Sequence, residues 1–289
     1  MPRCNNSGAF FIEGVMIEFK LNKEKEREIL FAENYYLWRF VDIHKLFHFI
    51  LNQEIVFSRF DCFNDPLEGL SLEQINHLDH LSSLPDKKAI NPELGKDIIQ
   101  QVLTARKSIP FQTKQYQRSQ KVQFASCWYK NNSQSWAMWN QYSNNEGFAI
   151  RINGKHLLER LSVGLNLYHL RNKNVDDAMI GIVEYLPLWP FDRRVTYKDN
   201  NRSLYSGFKK DLSYTHENEL RFIVVLNKIK RNKNLPLKMP IDSDLDIKIF
   251  ANPKMDSWKF ETFRCLMKKL NFNLNLVEKS ELPYRKFKP

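Results

Sequence analysis

Residues 214–226 read YTHENELRFIVVL. The stretch from Phe222 to Leu226 is an unbroken aromatic and branched run, the pattern of a strand. Ahead of it, Glu217, Glu219 and Arg221 alternate with Asn218 and Leu220. Alternate side chains of a strand share a face, so the three charged groups gather at the start of the most convincing strand in the chain. Two crowded carboxylates push each other's pKa apart, and a neighbouring guanidinium can hold one of them ionised. A solvated strand end with cross-strand ion pairs is the other reading of the same residues.

On either side of this stretch, short strand-like runs alternate irregularly with helical ones. YYLWRF (35–40), EIVFS (54–58), KVQFASCW (121–128), GFAIRI (147–152), LNLYHL (165–170), GIVEYL (181–186), DIKIFA (246–251) and LNLVEKS (274–280) read as strands. Between the first two, Asp42 is an N-cap for a helix whose apolar face is Ile43, Leu46, Phe47, Ile50 and Leu51. Ser133 or Ser135 caps NSQSWAMWNQY (132–142), Asn153 caps the helix that follows GFAIRI, and DSWKFETFRCLMKKL (256–270) closes the series. A charged lead-in helix is expected at 20–33, and another helix near 203–213 after a loop at 187–202. Residues 71–121 read as a mainly helical, basic insertion, with a helix starting at Asn91-Pro92 and a tail carrying Arg106, Lys107, Lys114, Arg118 and Lys121. The basic turn NKIKRNK (227–233) is the one candidate hinge. About eight short strands with flanking helices in one domain, 1–289, argue for α+β and against a doubly wound parallel sheet.

Composition narrows the function. Hydrophobic residues make up 43% of the chain, enough for a real core. Lys and Arg number 44 against 33 Asp and Glu, a surplus of +11 that favours polyanionic partners, nucleic acid among them. There is no GxGxxG and no GxxxxGK[ST], so Rossmann and P-loop phosphate cradles are excluded. Cys4, Cys62, Cys127 and Cys265 form no CxxC pair, which fits reduced thiols in the cytoplasm rather than a zinc site or a disulfide scaffold. The apolar stretch from Phe10 to Phe19 is broken by Glu13 and Glu18 and reads as a short strand or hairpin, neither signal peptide nor membrane span. The histidines form no metalloprotease pattern, and no metal site is expected.

Several polar positions stand out. Arg39 lies inside an aromatic strand, where a guanidinium would either hold an anion or make a structural ion pair. Asn64-Asp65-Pro66 with Glu68 is a turn that could face a nucleotide. On KVQFASCW, Phe124, Ser126 and Trp128 share one face and Cys127 points the other way. Trp136, Trp139 and Tyr142 recur at helical spacing, an aromatic stripe suited to a core or to stacking on a ring.

Taken in order, Arg39, Ser126 and Glu217-Asn218-Glu219 resemble the Arg–Ser–Glu signature of ADP-ribosyltransferases, although FASCW departs from the Ser-Thr-Ser form of arginine-modifying members. FNDPLEG, SWAMWNQYSNNEG, KDLSYTHENELR and SELPYR further resemble a widespread bacterial family of unknown function. The transferase resemblance implies a split β-sandwich and NAD as substrate. Glu219 would then stabilise an oxocarbenium-like ribose, Glu217 would act on the acceptor, and Ser126 would orient Glu219. Arg39 would hold the pyrophosphate or ribose, and Trp38, Trp136 or Tyr142 would stack on a ring. Ser58, Asn64, Asp65 and Arg221 complete the NAD-facing set. It also implies a toxin or phage-defence effector acting on nucleic acid, RNA favoured, with an antitoxin protein as a partner. The alternative is a nuclease-like or non-catalytic nucleic-acid-binding effector, with Glu217, Glu219 and Asp65 as metal-binding carboxylates.

Overall fold

The run Glu219–Leu226 is strand β9, an interior strand buried almost throughout, in a ten-stranded mixed sheet. The structure, a computed structural model, describes residues 16–21, 24–32, 34–85, 90–91, 95–188 and 206–282. Along the sheet the order is β1 (Lys20–Leu21), β6 (Val175–Ile182), β9, β4 (Gln123–Lys130), β2 (Tyr36–Val41), β5 (Phe148–Asn153), β11 (Ile247–Ala251) and β12 (Val277–Lys279). The outermost pairs, β1 with β6 and β11 with β12, are parallel and the pairs between them antiparallel, so the chain is α+β.

The sheet forks at β4. One edge of β4 pairs with β9 from Gln123 to Tyr129. The other edge serves two strands: β2 at one end (Leu37 opposite Lys130, Trp38 opposite Tyr129) and β3 (Glu54–Arg59) at the other (Ser58 opposite Ala125, Arg59 opposite Phe124). β3 in turn carries β10 (Asn234–Lys238). Between the prongs Arg39 donates from Nη1 to Ser126 Oγ at 2.9 Å and from Nη2 to the Val56 carbonyl at 2.8 Å.

Strand alternation sorts the side chains into two faces. Leu37, Phe124, Trp128, Leu220 and Phe222 belong to the main core with α2 (Ile43–Asn52), α6 (Gly154–Asn172) and α7 (Ser257–Lys269). Trp38, Phe40, Tyr129 and Phe250 face the other way, under Met138 and Trp139 of α5 (Trp136–Tyr142). The expected caps form: Asp42 accepts from Lys45 N, Ser135 from Met138 N, and Asn153 from Lys155 N and His156 N.

Some expectations are corrected. Residues 165–170 are no strand but the end of α6, because Leu157, Leu161 and Leu165 recur at helical spacing and are fully buried. The described part of the helix expected at 203–213 is instead a 3₁₀ turn (Ser206–Phe208), strand β8 (Lys209–Asp211), which pairs with β7 (Glu184–Leu186), and a second 3₁₀ turn (Leu212–Glu217). Asp211 caps that second turn through Ser213 N, a local bond that competes with helix formation. β10 was not expected at all. The basic run 227–233 is the turn between β9 and β10, and its backbone is tied down by Arg59 at the Lys230 and Lys233 carbonyls. The insertion is helical as expected, comprising α3 (Leu72–Ser82) and α4 (Lys96–Val122), and α1 (Glu24–Phe31) is the lead-in helix. Cys4, most of the stretch 10–19, Pro92, most of the loop 187–202 and the end of SELPYR lie outside the described residues. Among the described residues no helix is long and apolar enough to cross a membrane.

α6 crosses β10 with its backbone in contact: a Cβ on Gly164 would stand 2.1 Å from the Lys238 carbonyl oxygen. Two pieces of backbone cannot give way there as a flexible side chain could. Gly164→Ala is therefore expected to destabilise the protein by about 1–3 kcal/mol, read as a lower midpoint in urea unfolding.

Candidate functional site

At the start of β9 the chain buries a charged network on the face opposite Ser126. Arg221 and Glu217 are 0% exposed, Glu68 1%, Lys210 5% and Glu219 5%. Arg221 donates from Nη1 and Nη2 to the two Glu68 oxygens at 2.7 and 3.0 Å, from Nε to Glu219 at 2.6 Å, and from Nη1 to the Gly207 carbonyl at 2.8 Å. Lys210 reaches Glu68 at 3.0 Å and also Glu217, which accepts from the Tyr142 hydroxyl as well. A guanidinium survives burial only when its fork of donors is met this fully.

Each member comes from a different segment. Glu68 sits in the turn after β3, where the Asp65 carboxylate accepts from Leu67 N at 2.9 Å. Lys210 is the buried middle residue of β8, Glu217 ends the second 3₁₀ turn, and Glu219 and Arg221 are on β9. Above them, Gln141 bonds His216 at 2.6 Å, and Tyr142 is 38% exposed.

The charges do not cancel. Among the described residues, three carboxylates (Glu68, Glu217, Glu219) meet two cations (Lys210, Arg221). Burial opposes the Glu68 charge, but Arg221 and Lys210 more than offset this and hold its carboxyl below the ordinary range. At Glu219 burial wins, helped by the Glu217 and Glu68 charges, and its pKa is raised. Burial opposes the Lys210 and Arg221 charges, yet Glu219 and Glu68 raise both pKa values. Burial, with Glu219 beside it, also pushes up the Cys127 thiol, which stays protonated and is no nucleophile.

The structure brings some expected site residues together and separates others. Glu217, Glu219, Arg221 and Tyr142 share one network. Ser126 and Arg39 pair with each other but lie on the far face, because Ser126 stands opposite Phe222 while Glu219 stands opposite Tyr129. Ser126 therefore does not orient Glu219. Its oxygen accepts from Arg39 and, at 3.0 Å, from Trp128 Nε1. Arg39 and Ser58 instead border a separate cavity of about 440 Å³ beside α2 and β3. Burial lowers the Arg39 guanidinium to about 10, so it remains charged at neutral pH. Trp38 is 3% exposed and packed on Phe250, and Trp139 is 0% exposed, so both are core. Trp136 is half-buried with the Lys254 ammonium over its ring, and Asn64 is exposed. Burial raises the Asp65 pKa. Among the described residues no group of three or more His, Cys, Asp or Glu is placed to hold a metal ion. Glu68 and Lys210 are the members that sequence reading underweighted. Their motifs, FNDPLEG and KDLSY, were visible, but nothing local shows that they meet.

Residues 138–222 match the family described as "Protein of unknown function (DUF2971)". The matched segment runs from Met138 in α5 to Phe222 in β9 and carries Tyr142, Lys210, Glu217, Glu219 and Arg221 of the network. Neither a curated protein nor a solved structure matches the chain.

Removing one partner of a buried pair strands the other's charge. Arg221→Met leaves Glu68 and Glu219 facing each other and is expected to cost about 3–5 kcal/mol, measured by urea unfolding at neutral pH.

Proposed function

We propose that the chain is an NAD-dependent ADP-ribosyltransferase, an effector of toxin or phage-defence type acting on nucleic acid, with its chemistry at Glu219. The observation that carries this is the buried surplus of negative charge. Three carboxylates share two cations out of water, so a positive charge developing beside them is stabilised without solvent reorganisation. Heterolysis of the nicotinamide–ribose bond develops such a charge. Both bonding electrons leave on nicotinamide, and the ribose carbon becomes oxocarbenium-like until the acceptor's nucleophile bonds to it. The acceptor's proton passes to the Glu219 carboxylate, whose raised pKa suits a base.

Glu219 is preferred to Glu217 because its side chain keeps 6% exposure, whereas Glu217 is sealed under Tyr142 and Lys210. Glu217 becomes a positioning residue. Tyr142, at the rim, offers a ring for stacking. The split-sandwich reading is supported by the fork of the sheet at β4. Arg39 and Ser126 brace that fork and are given no part in bond breaking.

The test is release of free nicotinamide from NAD with total RNA present. Glu219→Gln is expected to lower the rate by at least about a hundredfold, with NAD binding retained. A wild type that neither binds nor consumes NAD sinks the reading. The pH profile checks the same group: only the ionised carboxylate stabilises a cation, and its pKa is raised, so activity falls with acidification at a pH above the ordinary Glu range. That acid limb should disappear from the residual activity of Glu219→Gln.

A further inference from the structure

Two basic segments far apart in sequence meet in the fold. On α4, Lys107, Phe111, Lys114, Arg118 and Lys121 recur at spacings of four, three, four and three, a single stripe along the helix. The stripe faces solvent: Lys107, Lys114 and Arg118 are exposed and Phe111 is 65% exposed. The opposite face is the one that packs, with Tyr116 bonded to His77 at 2.6 Å and Gln120 to the Pro66 and Glu68 carbonyls at 3.0 and 2.7 Å. Against the C-terminal half of the stripe lies the basic turn 227–233. Ile229 from that turn closes a groove of about 750 Å³ with Phe111, Lys114, Arg118 and Lys121. Lys233, exposed in the same turn, lies just beyond the groove lining: its charge acts on Cys62 and that of Lys121 on the adjacent Asp61. Asp61, on which the Lys121 charge acts, is already taken by Arg59 at 2.6 Å. Among the described residues none of Lys107, Lys114, Arg118 and Lys233 is ion-paired.

We propose that this groove binds single-stranded nucleic acid, with Lys114, Arg118, Lys121 and Lys233 along the phosphates and Phe111 as the platform for a base. A bare row of lysines would serve any polyanion. The exposed aromatic among them selects a polymer with π-faces, and only an unpaired strand presents those faces. From Lys107 to Lys121 the stripe runs about 21 Å, long enough for several nucleotides. Gln120 ties the helix to the turn that carries Glu68, so a strand held here is anchored to the same element as the carboxylate network. This deepens the acceptor side of the proposed transferase and rests on that reading for its purpose, though the binding itself does not.

The experiment is fluorescence anisotropy with a labelled oligouridylate of about twelve nucleotides, titrated between about 50 and 200 mM salt. Wild type is expected to bind with a slope of log K on log salt near −3, from roughly −0.7 for each of four cations. Lys114→Glu with Arg118→Glu should weaken binding at least about tenfold and roughly halve the slope. Phe111→Ala should weaken it about tenfold with the slope unchanged. All three positions are exposed, and a thermal melt matching wild type separates lost binding from lost folding. No binding by wild type, or variants that bind as wild type does, would overturn the proposal. Equal competition by duplex RNA would overturn the single-strand assignment, and equal competition by polyglutamate would replace nucleic acid with an acidic protein. Nicotinamide release without RNA keeps the two proposals apart: groove variants that lose RNA but still consume NAD leave the transferase standing, and RNA binding by a protein that never consumes NAD leaves only the groove.

Discussion

Arg221 has no contact with solvent, and the rest of this side of the molecule is arranged around that fact. A guanidinium carries five donors that water no longer serves, and its charge cannot be shed. It is satisfied by Glu68 from the turn after β3, by Glu219 two residues earlier on its own strand, and by the Gly207 carbonyl from a 3₁₀ turn. Lys210 then binds Glu68 and Glu217, and Tyr142 closes over Glu217. Each link fixes a segment that has little regular structure of its own. The turn at 63–70, β8 and the 3₁₀ turn before β9 hold their places because displacing any of them would strand a buried charge.

A second constraint acts across the sheet. One edge of β4 cannot be fully paired by either β2 or β3, since β2 leaves it after Trp38 and β3 joins it only at Ser58. The gap lies beside Ser126, and Arg39, itself on β2, fills it with bonds to Ser126 on β4 and Val56 on β3. The same alternation that points Ser126 toward Arg39 points Cys127 and Glu219 away. The protein thus holds two separate polar centres, one braced inside the fork and one buried under Tyr142, with the sheet between them.

The helical insertion is coupled to both centres, since α4 runs directly into β4, the strand that carries Ser126, and also bonds the turn that carries Glu68. Its long helix meets the body through Gln120, which grips the very turn that presents Glu68. Its exposed face turns toward the β9–β10 connection, which continues directly from the strand carrying Glu219 and Arg221. The basic groove and the charged network are therefore joined by two short covalent or hydrogen-bonded paths.

Local pattern was sufficient for much of this. The apolar run after Arg221 determined β9, the caps at Asp42, at Ser133 or Ser135, and at Asn153 determined three helix starts, and alternation put Glu219 and Arg221 on one face, whereas Glu217 joins them from a 3₁₀ turn and not from the strand. Where a local signal was ambiguous, packing decided: LNLYHL alternates like a strand, yet its Leu165 continues the buried stripe of α6. Pairing across long distances was not legible. Nothing near Glu68 announces Arg221, 153 residues away, and nothing near Lys121 announces the turn at 227–233. Most strands and helices, and the shared face of Glu219 and Arg221, are legible from periods of two and 3.6 residues, although 165–170, 203–213 and β10 are not. That Ser126 and Glu219 lie on opposite faces, and that Glu68 and Lys210 complete the network, emerges only once the chain is folded. Register and chain crossing set those contacts, and both depend on the whole core closing at once.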